Sequence, residues 1–334
     1  MSKKRYYKQV YLQLYQIVFG LLVVLLLNSC SGVMKIPNNI NNTNSFCNHQ
    51  TNYNYSEEEL AKPILKVEID QSLNNIFSFR ALNVANAINI LNDLKEHLKL
   101  REAYLKSQTI ENRLDLMELS QTINNKINIA SLEISSAASE LDCEEERTSQ
   151  IANYIKGKED QRENNLVIGS IIVGAAGSIA TEALSSENNN AGTVAALSTS
   201  LVGTALGVMM LVNKRKVIFH HKRNTLGEIW YQLPVSTTLP PSIWYYLNYK
   251  DNSKNKQSLR DLLVERWLNF GQIEHSEKNT KNTGIYFGEG GKYTAEQLKN
   301  RAAMYDEIEA NITIMKQDLK QLSIEFENIR TPKK

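Results

Sequence analysis

The chain has 334 residues, 42% of them apolar and 22% charged, with a formal net charge of +2. That balance belongs to a globular protein of one large domain or two small ones. Without Lys3, Lys4, Arg5 and Lys8, the 38 basic residues fall just below the 36 acidic ones, so no nucleic-acid partner is expected.

Residues 1–29 read as an export signal. The four basic residues precede an uncharged run, Gln9–Ser29, densest at "IVFGLLVVLLL" (Ile17–Leu27). Its length suits a signal-peptide core and falls short of the ~20 residues a spanning helix needs. The run ends in "LLLNSC": Leu27, Asn28, Ser29, then Cys30. This resembles the lipobox of bacterial lipoproteins. The resemblance covers the first 30 residues and implies that Cys30 is acylated on its thiol and becomes the new N-terminus. Palmitate-like chains there would give firm anchoring, since each buried methylene contributes about 0.8 kcal/mol. Ser31 and Gly32 follow, with neither an Asp nor an acidic run. The resemblance then implies the outer membrane of a Gram-negative envelope, facing the periplasm, with the cell surface as the other address. The lipid bilayer is the first expected partner, followed by other envelope proteins or a second copy. The covalent lipid at Cys30 is the only prosthetic group expected, with no cofactor and no metal.

Residues 30–56 contain "KIPNNINNTNSFCNHQTNYNYS", asparagine-rich and without apolar periodicity, and read as a disordered tether. Cys47 lies in it and Cys143 lies far downstream. In an exported protein these two could form one disulfide or remain two unrelated buried thiols, and the bridge is slightly favoured.

"SEEEL" at Ser56 has the signature of a helix start. A long helical region is expected over 57–165. Val84, Ala87, Leu91, Leu94 and Leu98 form one stripe; Leu116, Leu119, Ile123, Ile127, Ala130, Ile134, Ala137 and Leu141 form a second. No proline falls between Pro63 and Pro234.

Two glycine-dotted apolar stretches follow, Leu166–Leu184 and Ala191–Val212. They predict an apolar helical hairpin over 166–212, each arm roughly 28–33 Å long. The link "SSENNN" is polar, and charged segments flank both feet. Small residues recur at every fourth position: Ser170, Gly174 and Ser178 on one arm, and Ala191, Ala195, Thr199, Gly203 and Gly207 on the other. Such ridges let helix backbones approach closely, a glycine-zipper arrangement. Three readings stay open: a buried core hairpin, a membrane hairpin that is permanent or conditional, and self-association through the ridges. The layout resembles that of helical pore-forming toxins. No motif of theirs is matched, and the lipid anchor and a tryptophan-rich region depart from the pattern.

Residues 213–290 read as a compact Trp/Tyr-rich cap with Trp230, Trp244 and Trp267. In it "LPVSTTLPPSIWYYL" reads as a proline-bounded connection and "SLRDLLVERWLNF" (Ser258–Phe270) as a short amphipathic helix. "GEGGKYTAEQL" reads as a flexible glycine turn followed by a Thr294/Gln297 capping box. Over 291–334 a coiled-coil-like helix is expected, with Leu298, Ala302, Tyr305, Ile308, Ile312, Met315, Leu319, Leu322 and Phe326 on one seam.

No reaction-bearing constellation emerges, and no catalytic residue is assigned. "GEGGKY" lacks the phosphate-loop pattern, because Tyr286 stands where the first glycine belongs and Tyr293 follows Lys292. His220 and His221 are adjacent, so on a helix their side chains would diverge. "CEEER" (Cys143–Arg147) reads as a solvated face or the disulfide position rather than an acid–base pair. The expected fold is therefore mainly α: an elongated helical bundle with an apolar hairpin and a small cap. The expected function is a non-enzymatic structural or interaction role in a membrane-associated assembly. A membrane-inserting effector using 166–212 is the first alternative, and a cell-wall-active enzyme the second.

Overall fold

The computed structural model describes residues 33–34, 47, 52–187, 214–250, 257–273 and 280–330, with the backbone alone at 173, 176–187 and 280–282. The fold is mainly α. Nine α-helices fall among the described residues: α1 (Gln71–Asn74), α2 (Phe79–Ala87), α3 (Leu91–Lys106), α4 (Ile110–Glu187), α5 (Thr225–Trp230), α6 (Pro241–Asn248), α7 (Leu259–Asn269), α8 (Thr280–Phe287) and α9 (Ala295–Arg330). Three strands, β1 (Val33–Met34), β2 (Lys216–His220) and β3 (Gly290–Tyr293), form one sheet in the order β1-β2-β3. The chain divides into two compact units. One holds residues 1–40, 150–218 and 292–296; the other holds 41–149, 219–291 and 297–334.

The larger unit is organised by α9. All nine residues of its predicted seam are buried, from Leu298 to Phe326, and so are Ile123, Ile127, Ala130, Ile134, Ala137 and Leu141 of α4. Leu116 and Leu119, at the start of the α4 stripe, are only half-buried. The spacing of three and four keeps each apolar stripe on one helix face, and burial of that face stabilises helices that would be marginal alone.

The region before α4 is more broken than its periodicity suggests. "SEEEL" forms one 3-10 turn, Glu57–Glu59, capped reciprocally by Ser56 and Glu59. Asn89 ends α2 with a φ of 54°, a left-handed conformation that asparagine tolerates better than most residues. The chain then restarts as α3. Ser107–Thr109 separates α3 from α4, and Thr109 Oγ1 accepts from the Asn112 amide at 3.2 Å.

The tryptophan-rich region belongs to this same unit. "PSIWYYLN" is helix α6, not the irregular connection expected: Pro240 caps it and Pro241 takes its first turn, where a missing N–H costs nothing. Helix α7 matches its sequence reading, with a capping box between Ser258 and Asp261. Of "GEGGKY", Gly288 and Glu289 form a bend, whereas Gly290–Tyr293 is strand β3 rather than part of a free turn. Gly290 has a φ of 102°, and a Cβ there would collide with the Phe219 carbonyl, so only glycine fits. His220 closes strand β2 and His221 follows it, so the helical geometry expected for the pair does not apply.

His97 is a fully buried joint in this unit. Its Nε2 and the Ser120 hydroxyl lie 2.9 Å apart, and its ring meets Phe326 edge-on at 4.9 Å. α3, α4 and α9 thus meet at one imidazole. Burial, helped by the charges of Arg101 and Arg330, lowers its pKa from 6.5 to about 4.

With the folded-state pKa below the ordinary value, the unfolded chain takes up this proton first as pH falls. The stability from this site is complete above about pH 6.5 and is lost toward about pH 4. Between about pH 7 and pH 5 the loss should be about 2 kcal/mol. Urea midpoints at the two pH values, for the parent and for His97→Gln, check this. The parent should lose more stability than the variant by that margin.

Candidate functional site

The smaller unit carries the features that the sequence singled out. β1 and β2 run parallel, with Val33 opposite Lys216 and Met34 opposite Val217. The Arg215 N–H donates to Glu159 Oε1 of α4 at 2.7 Å, and the Arg215 guanidinium lies 3.2 Å from the Met34 sulfur. Lys214 pairs with Glu296 at 2.8 Å, and Lys156 with Asp160 at 2.9 Å. On the α4 segment of this unit Ile151, Ala152 and Ile155 are buried.

Beyond that foot α4 continues without a break to Glu187, so the first apolar stretch is the distal part of a 78-residue helix. Three of its described side chains stand well exposed, Ile168 at 56%, Ile171 at 65% and Ile172 at 62%, while Leu166 and Ser170 are half-buried. The three isoleucines stand at i, i+3 and i+4, on one face. Full burial of one isoleucine stabilises by about 1.5–3 kcal/mol, so three left in water forgo a substantial gain. Among the described residues, no helix is long and apolar enough to cross a membrane.

Of the predicted ridge, Ser170 is half-buried and its hydroxyl donates to the Val167 carbonyl at 2.7 Å. A Cβ built on Gly174 would meet nothing within 4 Å. The side chain of Ser178 lies outside the described residues. So do Ala195, Thr199, Gly203 and Gly207 of the second stretch, and Cys30 with the whole of residues 1–32.

Cys47 and Cys143 are joined by a disulfide, with their Cα atoms 5.3 Å apart and a sequence separation of 96. It ties the stretch before α1 to the middle of α4. The described pieces of residues 30–56, which the sequence read as a tether, all carry bonds. Val33–Met34 is a strand, Cys47 is bridged, and the Tyr53 N–H donates to the Thr237 carbonyl at 3.0 Å. The Tyr55 hydroxyl donates to the Leu239 carbonyl at 3.2 Å and accepts from the Ser236 N–H at 3.1 Å.

The larger unit holds a cavity of about 750 Å³ that sequence reasoning missed. Asn86, Asn89 and Asn92 line it from α2 and α3, Lys126 and Glu133 from α4, and Ser242 from α6. The Asn86 amide donates to the Lys62 carbonyl at 2.8 Å and to the Tyr245 hydroxyl at 3.0 Å. That hydroxyl donates in turn to Asn83 Oδ1 at 2.8 Å. Lys126 pairs with Asp93 at 2.6 Å, and burial pushes the Glu133 carboxyl up. A signal was present, since asparagine recurs at 83, 86, 89 and 92. Amides and charges of both signs suit a polar ligand, and within the lining the Ser242 hydroxyl donates to Glu133 Oε2 at 3.3 Å.

The remaining polar clusters are structural. Glu228, buried on α5, accepts from the Ser236 hydroxyl, the Thr237 N–H (2.9 Å), and the hydroxyls of Thr237 (2.7 Å) and Thr238 (2.6 Å). This carboxylate organises the "STT" turn. Arg301 is fully buried. It donates to the Tyr286 carbonyl at 2.7 Å and to the Tyr305 hydroxyl at 2.8 Å, and no carboxylate among the described residues pairs with it. "CEEER" is not wholly a solvated face: Arg147 bonds Glu144 at 2.6 Å and lies over the Phe219 ring at 4.7 Å. No group of three metal-ligating side chains occurs among the described residues. No family model matches the chain, and no curated protein or solved structure matches it either.

A disulfide closing a loop this long removes much unfolded-state entropy, worth about 4–5 kcal/mol in the chain-entropy picture. Reduction, or a Cys47→Ser/Cys143→Ser double variant, should lower the urea-derived unfolding free energy by an amount approaching that figure. Unfolding curves with and without dithiothreitol measure it.

Proposed function

We propose that the protein is a lipid-anchored envelope protein with a non-enzymatic structural or interaction role, held at the outer membrane through Cys30. The lipobox-like segment supplies the address. The observation that carries the reading is the bridge between Cys47 and Cys143, because such a bond persists in oxidising compartments and not in a reduced cytosol. A lipobox beside a long-range disulfide describes a chain that has been exported and then held. The partners are the bilayer and either other envelope proteins or a second copy.

The exposed isoleucines of α4 favour a second reading, in which 166–212 inserts into a membrane as an effector hairpin. The two readings share the anchor and differ in whether the hairpin breaches a bilayer.

Intact-mass analysis of the protein purified from membranes tests the first reading. The expected product begins at Cys30, carries acyl mass on it and has no free thiol at Cys47 or Cys143. A chain that still begins at Met1, or an unacylated Cys30, would overturn it. Dye release from phosphatidylethanolamine/phosphatidylglycerol vesicles separates the two readings. The structural reading predicts no release by the soluble body, whereas release abolished by Gly203→Leu/Gly207→Leu would support the packed-hairpin effector.

A further inference from the structure

We propose that the exposed isoleucine turn of α4, formed by Ile168, Ile171 and Ile172, lies against the same bilayer that receives the acyl chains of Cys30. The smaller unit then touches the membrane at two points. The inference rests on the acylation proposed above.

Chain length is the first constraint. Val33 is the third residue after Cys30, and three residues reach at most about 10 Å. Val33 is also the first residue of β1 and pairs with Lys216. At most about 10 Å of chain therefore separates the proposed lipid-bearing residue from the sheet. The sheet is itself fixed to α4, because Arg215 donates to Glu159 at 2.7 Å and contacts Met34 at 3.2 Å. Along α4 from Glu159, Ile168 lies roughly 14 Å away and Ile172 roughly 20 Å. All these residues belong to one unit.

Chemistry then selects the occupant. The acyl chains put a hydrocarbon phase within this short reach of three isoleucines that are more than half exposed. A second copy of the chain is a poorer match, since three side chains offer far less area than the roughly 800 Å² per partner of a stable interface. The foot of the turn is also suited to headgroups. Lys216 is exposed there beside Lys156 and Lys214, which are paired with Asp160 and Glu296, and a cation beside an apolar face favours anionic lipid surfaces. Among the described residues no helix is long and apolar enough to cross a membrane, and the contact proposed requires none to do so.

The test uses the full acylated protein with a single Ile171→Cys substitution. With Cys30 acylated and Cys47 bonded to Cys143, the new thiol is the one that a maleimide fluorophore labels. The probe is a vesicle of phosphatidylcholine and phosphatidylglycerol, with and without bromines on the acyl chains. The expected result is emission quenched several-fold by brominated chains, with a several-fold drop in quenching by aqueous iodide. Emission quenched by iodide alone, from protein that co-sediments with vesicles, would overturn the inference and leave the anchor standing. Iodide protection in the absence of vesicles would also overturn it, in favour of a second copy covering the turn. Protein lacking acyl mass at Cys30 would overturn the anchor and this inference together. Thermal melting of the labelled protein, matched to the parent, keeps a folding defect from imitating any of these outcomes.

Discussion

The smaller unit depends on one hydrogen bond, from the Arg215 N–H to the carboxylate of Glu159 at 2.7 Å. Helix α4 carries the chain away past Glu159, and the chain is back beside the same turn at Arg215. The pairing of Val33 with Lys216 brings the region next to Cys30 to that place as well. A charge-assisted acceptor for a main-chain N–H is among the stronger protein hydrogen bonds, which suits a point where three segments meet.

The larger unit follows a different logic. α9 supplies a nine-residue apolar seam, and Trp244, Trp267 and Tyr246 pack in the same unit. Many of the polar groups buried here bond one another, although Arg301 Nε, Trp267 Nε1 and Asn83 Nδ2 find no partner among the described residues. Tyr246 donates to Asp318 at 2.6 Å, Arg301 holds the Tyr286 carbonyl, and Glu228 gathers three side chains of one turn. Networks of this kind fix a unique arrangement when every member is satisfied. The disulfide adds a covalent restraint between the stretch before α1 and the middle of α4.

Long periodic helices were legible in the sequence because their spacing repeats over many turns. Every seam residue of α9 and the later part of the α4 stripe are buried as the period requires. Short elements were not legible. A two-residue strand such as β1 has no period to read, and Pro240–Pro241 hid α6 by looking like a breaker when it is an N-terminus. The helix breaks at Asn89 and Ser107 come from single residues, whose effect depends on what packs around them. The convergence of Asn86, Asn89 and Asn92 at a cavity does not follow from their spacing alone, and Asn86 is set there by Tyr245 and Lys62, from elements distant from it in the chain. The exposure of Ile168, Ile171 and Ile172 depends on what packs against α4, which periodicity alone does not tell.

Membrane partition of a Cys30→Ala variant, exported through a cleavable signal without a lipobox, tests the central claim most directly. After alkaline carbonate extraction, the parent should stay with the membrane and the variant should be released, as follows from the proposal that the acyl chains are the anchor and the isoleucine turn only rests on the bilayer. Retention of the variant to the same extent as the parent would contradict the account.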